Sequence, residues 1–190
     1  MTSEDLRERI VDAADRLYYA KGYAAVGMDE LRTAAGVSLR RIYTVFGSKD
    51  DIVLAVLDRR HRMWEDGLTE RVARAAAPRE KLLAVYDYLA DWFCDDEFRG
   101  CGFINAFGEL GGTHPAVAAA VREHKESFQR AVAELVAAAG APPALGPQLA
   151  ILAEGAQTTA AISGDPAVAA QARSAAEVLV TAAGTTDAAA

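Results

Sequence analysis

The chain has 190 residues, of which 52% are hydrophobic and 25% charged, with a formal net charge of −7. That is enough apolar material to bury a core in one or two domains. No run of about 18 apolar residues occurs, which excludes a helical membrane span. The polar start Met1-Thr2-Ser3-Glu4-Asp5 is unlike a secretory signal, so the cytoplasm is the expected location.

Nearly every segment has helical period, and none alternates like a strand, so the expected class is all-α with about nine helices. Leu6, Ile10, Ala13, Ala14 and Leu17 mark one face of a first helix that Lys21-Gly22 stops. Residues 28–35 and 38–46 read as two short helices around Gly36. Ser48, with Asp51 three positions on, is a capping-box-like start for a long helix to about Arg74. Pro78 opens another, with Leu82, Val85, Tyr86, Leu89, Trp92 and Phe93 on one side. Gly100 and Gly102 break the chain before a short segment at 103–110, which Gly111-Gly112 end. Pro115, with His114 before it as cap, begins a strongly periodic helix that closes near Gly140. A helix to Ser163 and another from Pro166 to about Ala183 form an expected hairpin: Gly164 closes the first, Asp165 caps the second, and Pro166 is its first residue. The tail from Gly184 is expected to fray.

Cys94 and Cys101 make no disulfide framework and read as buried spectator thiols. Asp95, Asp96 and Glu97 beside them work against a reactive thiolate.

The acidic net charge is unevenly placed. Residues 1–64 hold 11 Lys/Arg against 10 Asp/Glu, and residues 65–190 hold 9 against 17. From Arg32 to Lys49 no acid occurs at all. A local cationic face binds phosphate while the rest of the protein repels it. On a helix over 38–46 with Ile42 facing the core, Val45 and Phe46 fall within about 60° of it. Arg40 and Thr44 then project opposite, and Arg41 and Tyr43 lie on the flanks. Arg can donate bidentately to guanine, and the Thr methyl can touch a thymine methyl. Tyr43 and Lys49 suit phosphate, Lys49 standing at a helix N-terminus. The candidate DNA-binding set is Arg32, Ser38, Leu39, Arg40, Arg41, Tyr43, Thr44 and Lys49.

Over roughly residues 6–60 this pattern resembles the TetR (tetracycline repressor) family of bacterial transcriptional regulators. The residues carrying the resemblance are Ala35-Gly36-Val37-Ser38, Ile42-Tyr43, Phe46 and Ser48-Lys49. Three positions depart from the family pattern. Gly27 stands where Ser or Thr often caps the second helix, Arg32 where a small residue is common, and Val45 where His or Tyr is frequent. The first loses a phosphate-contacting hydroxyl that Arg32 could replace, and the last leaves one backbone contact open.

The resemblance implies a helix-turn-helix DNA-binding domain at 1–47 and a ligand-binding and dimerisation domain at 48–190. It further implies a homodimer through the last two helices, lined by Leu149, Ile151, Leu152, Gly155, Ala156, Thr159 and Ile162 and by Val168, Ala172, Ala175, Ala176, Leu179 and Val180. Two recognition helices about 34 Å apart would then meet successive major grooves of a near-palindromic double-stranded operator. Aromatic residues concentrate in the rear part, and the family keeps an apolar cavity there. The candidate effector residues are Trp64, Tyr86, Phe93, Phe103, Asn105, Phe107, His124 and Phe128, suited to a small hydrophobic molecule. Each of them could equally be plain core. The glycine-flanked segment at 103–110 is the part expected to move. Effector entry would rotate the helix from Ser48 and lift repression.

Neither cofactor nor metal is expected. His61, His114 and His124 have no ligand-spaced partners, and neither a phosphate loop nor a nucleophile motif occurs, so an enzyme fails on inventory. Gly27 and Val45 leave open a helical binding module that does not read DNA.

Overall fold

The computed structural model describes residues 2–184. Among these residues it has nine α-helices and no strand: α1 (Ser3–Lys21), α2 (Met28–Ala35), α3 (Leu39–Val45), α4 (Lys49–Ala73), α5 (Pro78–Phe93), α6 (Gly102–Leu110), α7 (Pro115–Ala138), α8 (Leu145–Ser163) and α9 (Val168–Ala182). The tail expected to fray beyond Gly184 lies outside the described residues. No described helix is long and apolar enough to cross a membrane.

Local chemistry sets most helix ends. Thr2 and Asp5 form a capping box on α1, each side chain meeting the other's backbone N–H. Ser48 Oγ accepts from the Asp51 N–H at 3.2 Å, which starts α4. Pro78 is the first residue of α5, where its missing N–H costs nothing. The hairpin between α8 and α9 differs from expectation. Gly164 closes α8 in the left-handed region (φ 67°). Asp165 Oδ1 accepts from the Ala167 N–H at 2.9 Å, but it caps a turn through Pro166 and Ala167, and α9 begins only at Val168. Cys94 is exposed rather than buried, because it sits past the end of α5, whereas Cys101 is buried.

By packing, the chain divides into two compact units. The first holds the chain up to Arg62 together with Cys101–His124. Here α1, α2 and α3 pack on one another, with Ile10, Leu31 and Ile42 among their fully buried side chains. Leu6, Ala14 and Tyr18 extend the inner stripe of α1, and Ile52, Val53 and Val56 are the buried face of α4. Arg60 of α4 donates to the buried Asp15 and stacks on Tyr19 at 3.8 Å. Both α1 and α4 therefore contribute charge to an interior that would otherwise be apolar, and the pairing makes that burial tolerable.

The second unit holds Met63–Gly100 and the chain from Lys125. Helices α5, α8 and α9 pack pairwise around Leu82, Tyr86, Leu89, Leu149, Ala153, Ala172, Ala176 and Val180. The small residues on α8 and α9 allow close helix approach. The hydroxyl of Tyr86 donates to the Leu149 carbonyl at 2.8 Å, and burial raises its pKa well above the ordinary tyrosine value. Trp64 stands edge-on to Tyr88, Trp92 and Phe128, with ring centroids 5.0, 5.5 and 5.7 Å away. A Cβ on Gly67 would come within 2.5 Å of the Tyr88 hydroxyl, so Tyr88 packs directly on this turn of α4 and would have to shift for any larger residue.

Candidate nucleic-acid interface

The turn between α2 and α3 is fixed by Gly36. Its φ of 62° lies in the left-handed region, and an added Cβ would stand 2.5 Å from Arg9 Nη2. In that conformation the Val37 N–H reaches the Arg32 carbonyl and the Gly36 N–H the Thr33 carbonyl, both at 3.1 Å, which satisfies the end of α2. Ser38 is the N-cap of α3: its Oγ accepts from the Arg41 N–H at 3.3 Å. The expected helix is thus one residue shorter at each end, and the Ser38 hydroxyl serves the backbone first.

Helix α3 divides cleanly across its axis. Ile42 and Phe46 are buried, while Arg40, Arg41 and Thr44 are exposed and Tyr43 is 48% exposed. Leu39 and Val45 lie half-buried on the boundary. The Thr44 hydroxyl donates to the Arg41 carbonyl at 2.7 Å.

Charge pairing separates the cations into two groups. Arg32 is held by Asp29 at 2.7 Å, so its guanidinium is already matched. Lys49 turns inward: its ammonium donates to the Tyr23 carbonyl at 2.7 Å and lies 5.8 Å from the centre of the Tyr18 ring. Burial lowers the Lys49 pKa, while Asp50 and Glu109 act the other way. The Tyr18 hydroxyl is pushed up to about 12, by burial first and then by Asp50. Among the described residues Arg40 and Arg41 have no acidic partner.

Two further cations beside α3 share that state and were not singled out from the sequence. Arg7 lies over the Phe46 ring at 5.3 Å, and Arg9 lies against Gly36. Neither has an acidic partner among the described residues. Sequence spacing pairs Arg9 with Asp5 or Asp12, but Asp5 is engaged in the cap with Thr2, and Asp12 takes Arg16 and Arg59.

The candidate effector residues fall into both units. In the first, Phe103 of α6 stacks on His124 of α7 at 3.5 Å, and His124 Nδ1 meets His61 Nδ1 at 3.0 Å. One of these rings must donate and the other accept. Asn105 is half-buried and Phe107 is 53% exposed. In the second, Tyr86, Phe93 and Phe128 are buried and Trp64 is half-buried, all in the aromatic core of that unit.

The positions expected to line a dimer split by face. Leu149, Ala156, Val168, Ala172, Ala176 and Val180 point into their own unit, while Ile151, Gly155, Thr159, Ile162 and Ala175 are exposed. Val178, which the sequence did not single out, joins the exposed set at 66%, beside Ile151 at 71% and Ile162 at 83%.

Residues 10–56 match the family described as bacterial regulatory proteins, tetR family, and residues 78–176 match the tetracyclin repressor-like C-terminal domain. The chain is similar to the solved structure of a TetR-family transcriptional regulator from Streptomyces coelicolor. The two are 32% identical, the TM-score is 0.88, and the likeness covers 95% of this chain and 96% of that one. It is also similar to the HTH-type transcriptional activator FasR of Mycolicibacterium smegmatis, at 32% identity over 70% of this chain and 59% of FasR. The HTH-type transcriptional repressor NemR of Escherichia coli is 29% identical over 57% of this chain and 56% of NemR. The chain thus spans somewhat over half the length of these two relatives.

Proposed function

Because this chain belongs to the tetR family of bacterial regulatory proteins, a family of DNA-binding transcription regulators and not of enzymes, we propose that it is a ligand-responsive repressor. In this reading it acts in the cytoplasm as a homodimer on a near-palindromic operator, with a DNA-binding head at 1–47 and an effector and dimerisation part at 48–190. The observation that carries it is the outer face of α3. A helix whose inner residues Ile42 and Phe46 are fixed in the core presents Arg40, Arg41, Tyr43 and Thr44 to solvent, and neither guanidinium is matched by an acid among the described residues. Unmatched guanidinium groups on a rigid element suit base edges and phosphates. Arg7 and Arg9, flanking the same helix, suit phosphate, as do the Ser38 hydroxyl and the Leu39 backbone N–H at its start, Lys49 beside it, and Arg32 where phosphate displaces Asp29.

The uncharged exposed stripe on α8 and α9 supports self-association through the last two helices, since an apolar patch of that kind meets a like surface more readily than water. For the effector we propose a small, mostly hydrophobic molecule recognised within the second unit through its aromatic residues Trp64, Tyr86, Phe93 and Phe128. Release of the operator would follow from a coupling of about 1–3 kcal/mol between effector and DNA.

Repression is favoured by the match of residues 78–176 to the repressor-like domain. Activation is the second reading, because FasR is named an activator. A gel shift against duplexes selected from a random pool, repeated in rising salt, tests DNA binding itself. Affinity falling steeply with salt is expected, and no retarded duplex at low salt would sink the proposal. A reporter behind the selected duplex then separates the two signs: expression falls when the protein is supplied if it represses.

A further inference from the structure

Both ends of α6 are seated on the turn that joins α1 to α2. At its C-terminal end, Glu109 accepts the Ala24 N–H at 2.8 Å across 85 residues of sequence. Both oxygens of the same carboxylate lie 3.0 Å from where a Cβ on Gly22 would stand. Gly22 has a φ of 96°, a backbone conformation that favours glycine, and the Glu109 carboxylate packs closely against it. At the N-terminal end of α6, a Cβ on Gly102 would stand 3.3 Å from the Tyr23 hydroxyl and 3.2 Å from Arg60 Cδ. Tyr23 is fully buried, and its hydroxyl has no hydrogen-bond partner among the described residues. A buried hydroxyl without a partner is costly, so close packing rather than polar pairing holds this end.

The turn so held is also the one that holds Lys49. Its Tyr23 carbonyl takes one of the three ammonium donors at 2.7 Å, which leaves two. A lysine fixed by one donor has less side-chain freedom to lose when the other two meet an anion. We propose that Glu109 is a positioning residue for DNA binding: by clamping residues 22–24 it keeps the Tyr23 carbonyl where that carbonyl aims the Lys49 ammonium, so the seating of α6 sets a phosphate contact in the head. This rests on the DNA-binding reading above and supplies it with a route from the segment expected to move. The route runs through backbone groups of the turn: carboxylate to N–H on one side, carbonyl to ammonium on the other.

The test is a double-mutant cycle on the full chain with Glu109→Ala and Lys49→Met, using a duplex selected by the wild-type protein. Glu109 is exposed and on a helix, and alanine is the best helix former, so the variant is expected to keep its fold. Glu109→Met gives a second, longer side chain without a carboxylate should alanine unfold the protein. Glu109→Ala is expected to weaken binding about fivefold in the wild-type background and less than about twofold in Lys49→Met, the non-additivity of residues in one network. Glu109→Gln keeps an oxygen for the Ala24 N–H and is expected to restore wild-type binding. Without DNA, acylation of Lys49 by an amine-reactive reagent is expected to quicken in Glu109→Ala and to stay at the wild-type rate in Glu109→Gln. The proposal is overturned if the two losses are additive, if Lys49 labels equally in all variants, or if glutamine behaves as alanine. The labelling arm needs no DNA, so failure of the clamp is told apart from failure of the DNA-binding reading.

Discussion

The outer face of α3 and the outer stripe of α8 and α9 are both exposed and both lack acids, yet their chemistry is opposite. The first offers Arg40, Arg41, Tyr43 and Thr44, and the second Ile151, Gly155, Thr159, Ile162, Ala175 and Val178. A protein of net charge −7 that gathers unmatched guanidinium groups on one short helix offers that face to an anionic partner. It keeps three large aliphatic side chains in water only where something apolar will cover them. The contrast teaches that exposure alone says little. What an exposed face lacks, acids in one case and charge altogether in the other, is what identifies its partner.

The stripe is the place to break the contrast most severely. Ile151→Glu together with Ile162→Glu puts like charges on both copies of a self-matching surface, and the protein is expected to sediment as a monomer. Its affinity for a two-half-site duplex is expected to fall by about 10²–10⁴, because the second half-site is then bound independently. An unchanged dimer mass would remove the stripe from the interface. Next in size is Arg40→Ala, expected to cost about 1–3 kcal/mol and to relax selection at one base pair in a duplex-selection experiment. If affinity drops uniformly across sequences, Arg41 is the base reader and Arg40 a phosphate contact. Smaller still are Arg7→Ala and Arg9→Ala, each expected to flatten the salt dependence of binding by about one charge with sequence preference intact.

Helix order and the α3 division were legible because each depends on neighbours in sequence: a glycine turn, a cap and a single apolar stripe. The inward side of α8 and α9 was not. Ala together with Ile, Leu or Val occurs on both faces of these helices, so periodicity gives little direction, and Leu149 could not be told from Ile151. The late start of α9 escaped for a similar reason, since Asp165-Pro166 suits a turn as well as a helix start. The state of the charges was hidden too. Lys49 and Arg32 read as open cations, but a carbonyl 26 residues away takes one and Asp29 takes the other. Nothing local to Glu109 points to Ala24. Aromatic enrichment of the rear part was visible, whereas its division between Phe103 with His124 and Trp64 with Phe128 arises only from packing.

The smallest expected effect sharpens the α3 side of the comparison. Ser38 occupies a position where two roles compete, capping α3 through the Arg41 N–H and offering a hydroxyl to phosphate. Ser38→Ala removes both and is expected to cost about 1 kcal/mol of stability, the usual loss of a serine cap. Ser38→Asp keeps an oxygen at the cap and places a negative charge at a helix N-terminus, so stability measured by thermal unfolding is expected to stay near wild type. On DNA the order reverses, because the aspartate carboxylate faces the phosphates that the alanine merely fails to contact. Asp is therefore expected to bind a selected duplex more weakly than Ala while melting at a higher temperature. If the aspartate variant binds as tightly as wild type, Ser38 lies away from the backbone of the duplex, and the cationic face of α3 begins at Arg40.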